Sequence, residues 1–183
     1  MRDDVILKKP YIKSPFLSKI FKLFDKLRET KKKFDTTSCM LITGESGSGK
    51  SQIAKHYVEK NPHVEQDERT YIPVLHYELE SVSTEVQLLR SLLIAIGDPQ
   101  LGEKEKNAVA LLKRFVFLSK AIGLELLIVD EIQVIMERRS QRVLSGLADL
   151  FKDIINRLEI PVVFMGMPWS RHLIESNEQL NEL

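Results

Sequence analysis

The chain has 183 residues, 43% hydrophobic and 29% charged, which is long enough to bury a real core and too apolar for wholesale disorder. Its one cysteine, Cys39, rules out an internal disulfide and fits a reducing compartment. No apolar run approaches the roughly 18 residues needed to span a bilayer, and the start, broken by lysines and prolines, has no signal-peptide pattern. A soluble cytoplasmic protein is therefore expected. The net charge is +1, yet residues 1–33 hold eleven Lys or Arg against four Asp or Glu. Such a basic arm suits nucleic acid or an acidic partner, or is a solvated helix face.

Ser14 and Pro15 form a helix start, a capping serine followed by proline at the first helical position. Phe16, Leu17, Ile20, Phe21, Phe24 and Leu27 then recur on one face, with Lys19, Lys22 and Lys26 largely off it, so the pattern predicts an amphipathic helix packed on something. Residues 1–36 are read as this basic N-terminal segment, part of the same domain, and 37–183 as the core. Cys39–Thr43 suits a buried strand, and Gln52 to Lys60 a helix stopped by Asn61 and Pro62. Tyr71 to Leu79 is a predicted second strand. Thr84 and Gln87 have the spacing of a capping box, and the apolar positions from Val86 to Ile96 predict a helix ended at Gly97. A further helix is expected from Glu103 to Ala121.

Leu126 to Val129 is apolar on both faces, as in the middle of a parallel sheet. Val143 to Leu158 has helical spacing, Pro161 to Met165 is a fourth strand, and a short helix is expected near Ser170 to Ser176. Alternating strands and helices predict an α/β fold, a parallel β-sheet flanked by helices. The polar end, Asn177 to Leu183, has no structural stop, as expected of a chain cut from a longer protein.

Gly44, Glu45, Ser46, Gly47, Ser48, Gly49, Lys50 and Ser51 match G-x-x-x-x-G-K-[ST] in full. The spacing has a chemical reason. Successive backbone N–H groups must wrap a phosphate chain, and glycine permits that curvature. The helix that follows, beginning near Gln52, aims its first amides at the same anion. Lys50 would reach the β- and γ-phosphates of ATP, and the Ser51 hydroxyl would ligate Mg²⁺. Asp130 and Glu131 follow the apolar strand at its carboxyl end, where open α/β sheets bind ligands. Asp130 suits Mg²⁺, and Glu131 suits a general base for attacking water. Gln133 is either structural or a sensor of the γ-phosphate. The histidines His56, His63, His76 and His172 show no metal spacing. Cys39 reads as a small core residue, and Trp169 as core or interface.

Together these stretches resemble the AAA+ ATPase regulators of DNA transposition, of the TniB and TnsC kind. The resemblance runs from about Lys9 to the last residue. It is carried by Tyr11 to Pro15 with the helix after it, the phosphate loop, Leu126 to Gln133, and Ile160 to Gly166. It implies a P-loop NTPase of the AAA+ type that binds ATP between subunits. It also implies assembly into rings or helical filaments on duplex DNA without sequence readout, and a bridge between a target-selecting factor and the transposase. Tyr11 and Ile12 would help cover the adenine. The setting implied is bacterial, cytoplasmic and DNA-associated.

Two departures from the pattern stand out. The polar γ-phosphate sensor expected at the end of the fourth strand falls on Met167, so it is absent or supplied by Ser170. The C-terminal helical lid falls outside the chain, and Arg171 is the one arginine after the fourth strand. Without an arginine finger, hydrolysis should be slow, since such a residue is worth roughly 10³–10⁵ in rate.

Duplex backbone binding needs several cations on one surface. Arg138, Arg139 and Arg142 are the first candidates, Lys104 and Lys106 the second; each group also reads as a solvated face. Another AAA+ DNA factor, a helicase loader or replication initiator, shares both motifs. A small-molecule kinase needs an arginine-rich lid, and no segment looks like one. A nucleotide-gated scaffold with negligible turnover is the remaining alternative.

Overall fold

The computed structural model of the protein describes residues 15–65, 67, 70–80, 84–98, 105–135 and 141–171, with the backbone alone at 141–144. Helix α1 spans Pro15–Phe34, strand β1 Cys39–Thr43 and helix α2 Lys50–Lys60. Two short strands, β2 (Val64–Glu65) and β3 (Thr70–Tyr71), precede β4 (Val74–Glu78). Helices α3 (Glu85–Ala95) and α4 (Ala108–Ala121) follow, then β5 (Leu126–Asp130), α5 (Gln141–Leu158) and β6 (Val162–Gly166). The main sheet has the order β1-β6-β5-β4, and every neighbouring pair is parallel.

Strand alternation sorts the side chains into two layers. Leu126 and Ile128 of β5, Val163 and Met165 of β6 and Val74 of β4 face a core closed by Ile20, Phe21 and Phe24 of α1 and by Ile53, Ala54 and Tyr57 of α2. Leu127 and Val129, with Val162 and Phe164, face the larger core under α3, α4 and α5. Helices therefore cover both faces, which explains why β5 and β6 are buried along their whole length. Of the face of α1 expected to be apolar, Ile20, Phe21 and Phe24 are buried and Leu17 and Leu27 pack beside them, while Phe16 at the start of the helix is exposed.

The structure departs from expectation at three places. The predicted strand from Tyr71 to Leu79 is two strands. Pro73 separates them, since it has no N–H to give a ladder. Its carbonyl accepts from Glu125 N at 2.9 Å and Leu126 N at 3.1 Å. Tyr71 and Thr70 pair backwards with Val64 and Glu65 in a small antiparallel ribbon. Helix α4 begins at Ala108 rather than near Glu103, because the Asn107 side chain caps it, accepting from Val109 N at 2.9 Å. After β6 comes a 3₁₀ turn, Pro168–Ser170; most of the helix expected to Ser176 lies outside the described residues.

The Thr84 cap is present, its hydroxyl accepting from Gln87 N at 3.2 Å. Cys39 is half-buried in β1, and burial pushes its thiol up to about 11.

Candidate nucleotide site

The sheet order sets the site. β6 lies between β1, which leads into the phosphate loop, and β5, which ends in the acidic pair. The first amide after β1, Gly44 N, donates to Gly166 O at 3.1 Å, so the loop leaves from the end of the β1–β6 ladder. Ser48 N then donates to Glu45 O at 3.1 Å, tightening the turn. Gly49 takes φ 91° as it enters α2, a left-handed value that L side chains rarely adopt. The Lys50 side chain is buried, and its Nζ donates to Gly44 O at 2.7 Å and Glu45 O at 3.1 Å. The loop's own carbonyls thus hold the cation beside the amides.

A cavity of about 260 Å³ opens here, lined by Ser46, Gly47, Gly49, Lys50, Ser51, Gln52, Glu131, Gln133 and Met167. Residues from the two ends of the motif pattern, far apart in the chain, meet on one surface. Gly44, Glu45 and Ser48 do not line it; they take part in the hydrogen bonds that shape the loop and hold Lys50.

Asp130 is fully buried. Burial pushes its carboxyl up, but His76, the Ser51 hydroxyl and the Glu131 amide outweigh that and hold it below the ordinary carboxylate value. Glu131 N donates to Asp130 Oδ1 at 2.9 Å, and His76 Nε2 lies 3.3 Å from Asp130 Oδ2. The hydroxyl of Ser51 and the carboxylate of Asp130 are hard oxygen donors in contact with each other, which fits Mg²⁺. Among the described residues no three His, Cys, Asp or Glu side chains converge as a metal cluster. A metal here would complete its shell with phosphate and water, as Mg²⁺ does at such sites.

Glu131 has φ 59°. For a non-glycine residue this costs about 1–2 kcal/mol, and it turns the side chain from the strand end toward the cavity that Glu131 lines. Gln133 sits one step further, in the 3₁₀ turn Ile132–Ile135, and is buried. Its Nε2 donates to Glu131 Oε2, and its Oε1 accepts from Met167 N at 3.1 Å.

The family model for the bacterial TniB protein matches residues 2–182. The chain belongs to the TniB family. By sequence, no curated protein matches it. In fold the TniB chain is similar to the Aeropyrum pernix ORC1 protein, solved in complex with DNA (TM-score 0.59, 14% identity, 95% of this chain and 45% of that one). It is also similar to the Aeropyrum pernix ORC2 protein, solved as ADPNP–ADP complexes (TM-score 0.61, 16% identity, 98% and 48%). A third is CDC6P from Pyrobaculum aerophilum (TM-score 0.55, 14% identity, 97% and 48%). The TniB chain spans about half the length of these solved proteins. The fold is that of the AAA+ P-loop ATPases.

The remaining expected site residues of the TniB chain are placed unevenly. Met167 lines the cavity where a polar sensor was expected. Ser170 does not replace it: the residue is fully buried behind Gly166 and is not among those lining the cavity. Lys106 is exposed and precedes α4 rather than opening it. Tyr11, Ile12, Lys104, Arg138 and Arg139 lie outside the described residues, and Arg142 is described by its backbone alone, in α5. Trp169 is partly exposed. His76 is the site residue that sequence reasoning missed; its signal is a polar side chain at an inward position of β4. Among the described residues no helix is long and apolar enough to cross a membrane.

Proposed function

We propose that the chain hydrolyses ATP and, in its nucleotide-bound state, assembles on duplex DNA as a regulator of transposition that links target selection to the transposase. The observation that carries the ATPase half is the meeting of Lys50, Ser51 and Glu131 on one cavity, with Asp130 directly behind Ser51. Membership of the TniB family supports the transposition half. The DNA in the ORC1 structure, whose fold is similar, is compatible with that half.

The loop amides and Lys50 bind the phosphates, where N–H donors at a helix start suit an anion. Ser51 and Asp130 would hold Mg²⁺, which would supply charge neutralisation for the bound phosphates. Glu131 orients the attacking water and takes its proton. Among the described residues that line the cavity none is an arginine; slow turnover by this chain alone is expected, with a cation from a neighbouring subunit needed for speed.

Fluorescence anisotropy of a random-sequence duplex tests the reading, titrated with ATP, with ADP and without nucleotide, and with Lys50→Ala as control. Cooperative, salt-sensitive binding with ATP alone is expected. Binding that ignores nucleotide, or that survives in Lys50→Ala, would detach DNA from the ATP site. A longer chain that also fails to bind would sink the transposition reading.

A further inference from the structure

We infer that Gln133 is a positioning residue for hydrolysis: its side-chain amide bridges the Glu131 carboxylate to the end of β6 and fixes where that carboxylate points. This rests on the ATPase reading above and deepens it.

The bridge can be assembled in one sense only. The Glu131 carboxylate accepts hydrogen bonds, and the Met167 N–H donates one. The amide nitrogen must therefore face Glu131 and the amide oxygen must face Met167, which is the arrangement present. Gln133 is 6% exposed although it lines the cavity, so water has little access to the bridge. The packing around it is close. A Cβ added at Gly166 would lie 2.9 Å from Gln133 Oε1, 2.7 Å from Ile132 Cγ2 and 2.7 Å from Ser170 Oγ. Glycine at 166 is thus what lets the amide reach the β6 end.

The link is mechanical as well as local. β6 lies between the phosphate-loop strand and the acidic-pair strand, and Gly166 O already accepts from Gly44 N. Through Gln133 and Met167 N the base is tied to the same strand end that anchors the phosphate loop. Glu131 occupies a strained left-handed position, and a residue in such a position needs surroundings that determine it. A direct contact from Gln133 to a γ-phosphate would have to use the second amide hydrogen, which neither of these two partners takes.

The test is steady-state hydrolysis with nucleotide affinity measured alongside. Gln133→Met keeps length and apolar volume, deletes both hydrogen bonds, and is checked for folding by its ADP affinity. Its kcat should fall about 10–100-fold, the cost of a misplaced reacting group, while KM and ATP affinity stay close to wild type. Gly166→Ala should also lower kcat from the other side of the bridge, since the added Cβ would crowd Gln133 Oε1. In a Glu131→Gln background, Gln133→Met should leave the preference for ATP over ADP unchanged. Wild-type kcat in Gln133→Met overturns the inference. Selective loss of ATP over ADP affinity overturns it too, in favour of a direct γ-phosphate contact. No turnover by wild-type protein with Mg-ATP removes the hydrolytic reading itself, and this inference with it.

Discussion

The two ends of β5 each carry a glutamate, and their surroundings are opposite. Glu125, just before the strand, accepts from Arg28 Nε at 3.0 Å and Nη2 at 2.5 Å, from the Tyr71 hydroxyl at 2.6 Å, and pairs with Lys32 Nζ at 2.7 Å. Arg28 in turn donates to the Tyr57 hydroxyl and to Asn61, while that hydroxyl donates to Asp25. Glu131, just after the strand, meets one side-chain donor among the described residues, Gln133, and lines an open cavity in a strained backbone position. A carboxylate has about four acceptor sites. At Glu125 they are consumed in tying α1, α2 and the β2–β3 ribbon to the sheet. At Glu131 capacity is left for water. On the proposed reading, the same residue type is a fastener at one end of a strand and a reagent at the other, and the number of donors around it decides which.

If that contrast is right, removing each charge should damage a different property. Glu131→Gln carries the largest expected effect. It retains shape and the backbone turn but cannot take a proton, so kcat for ATP should fall about 10²–10⁴-fold with ATP affinity kept. Phosphate release and equilibrium nucleotide binding measure the two separately. Turnover at the wild-type rate would remove Glu131 from the mechanism. Its thermal stability should be unchanged or slightly raised, since active-site strain is not a stability device.

Glu125→Gln should do the reverse, with turnover per folded molecule unchanged and stability lower by about 2 kcal/mol, because Arg28 is left half-buried beside a neutral group. The loss should depend on pH in a definite direction. Burial pushes the Glu125 carboxyl up, but Lys32, Tyr71 and Arg28 outweigh it and hold it below its ordinary value of 4.5. A carboxyl lowered on folding stabilises fully above its unfolded value, and loses that contribution as pH falls through the folded value. Urea unfolding should therefore show the full gap between wild type and variant at neutral pH, closing as the pH falls below the ordinary 4.5. A gap that persisted in acid would mean that shape rather than charge holds the network.

How far the sequence disclosed this contrast depends on how local each signal is. The phosphate loop, β1, β5 and the Thr84 cap are contiguous patterns, and their residues lie where the patterns put them. The start of α4 was misplaced because Glu103 to Lys106 looks helical until Asn107 competes for the backbone amides. Pro73 divided a strand that apolar content alone made continuous. The Glu125 hub draws on α1, α2, β3 and the start of β5, and nothing in a linear pattern says that Arg28 and Glu125 will touch. His76 and the Gln133 bridge are hidden for the same reason, since each gains meaning from a partner on another strand.

Tyr71→Phe asks whether Glu125 is as saturated as its contacts suggest, and it should give the smallest effect. The hydroxyl is one of several donors to that carboxylate, and Lys32 shares the same Oε1. The ring keeps its own packing against Gly123, where an added Cβ would come within 2.7 Å of it, so phenylalanine preserves the contact and removes one hydrogen bond. A stability loss near the low end of about 0.5–1.5 kcal/mol follows, with hydrolysis untouched. A loss as large as that of Glu125→Gln would show that the tyrosine, rather than Arg28, sets the carboxylate's position. The β2–β3 ribbon would then be a principal fastener of the strand's entry, and the redundancy claimed for that end of β5 would be gone.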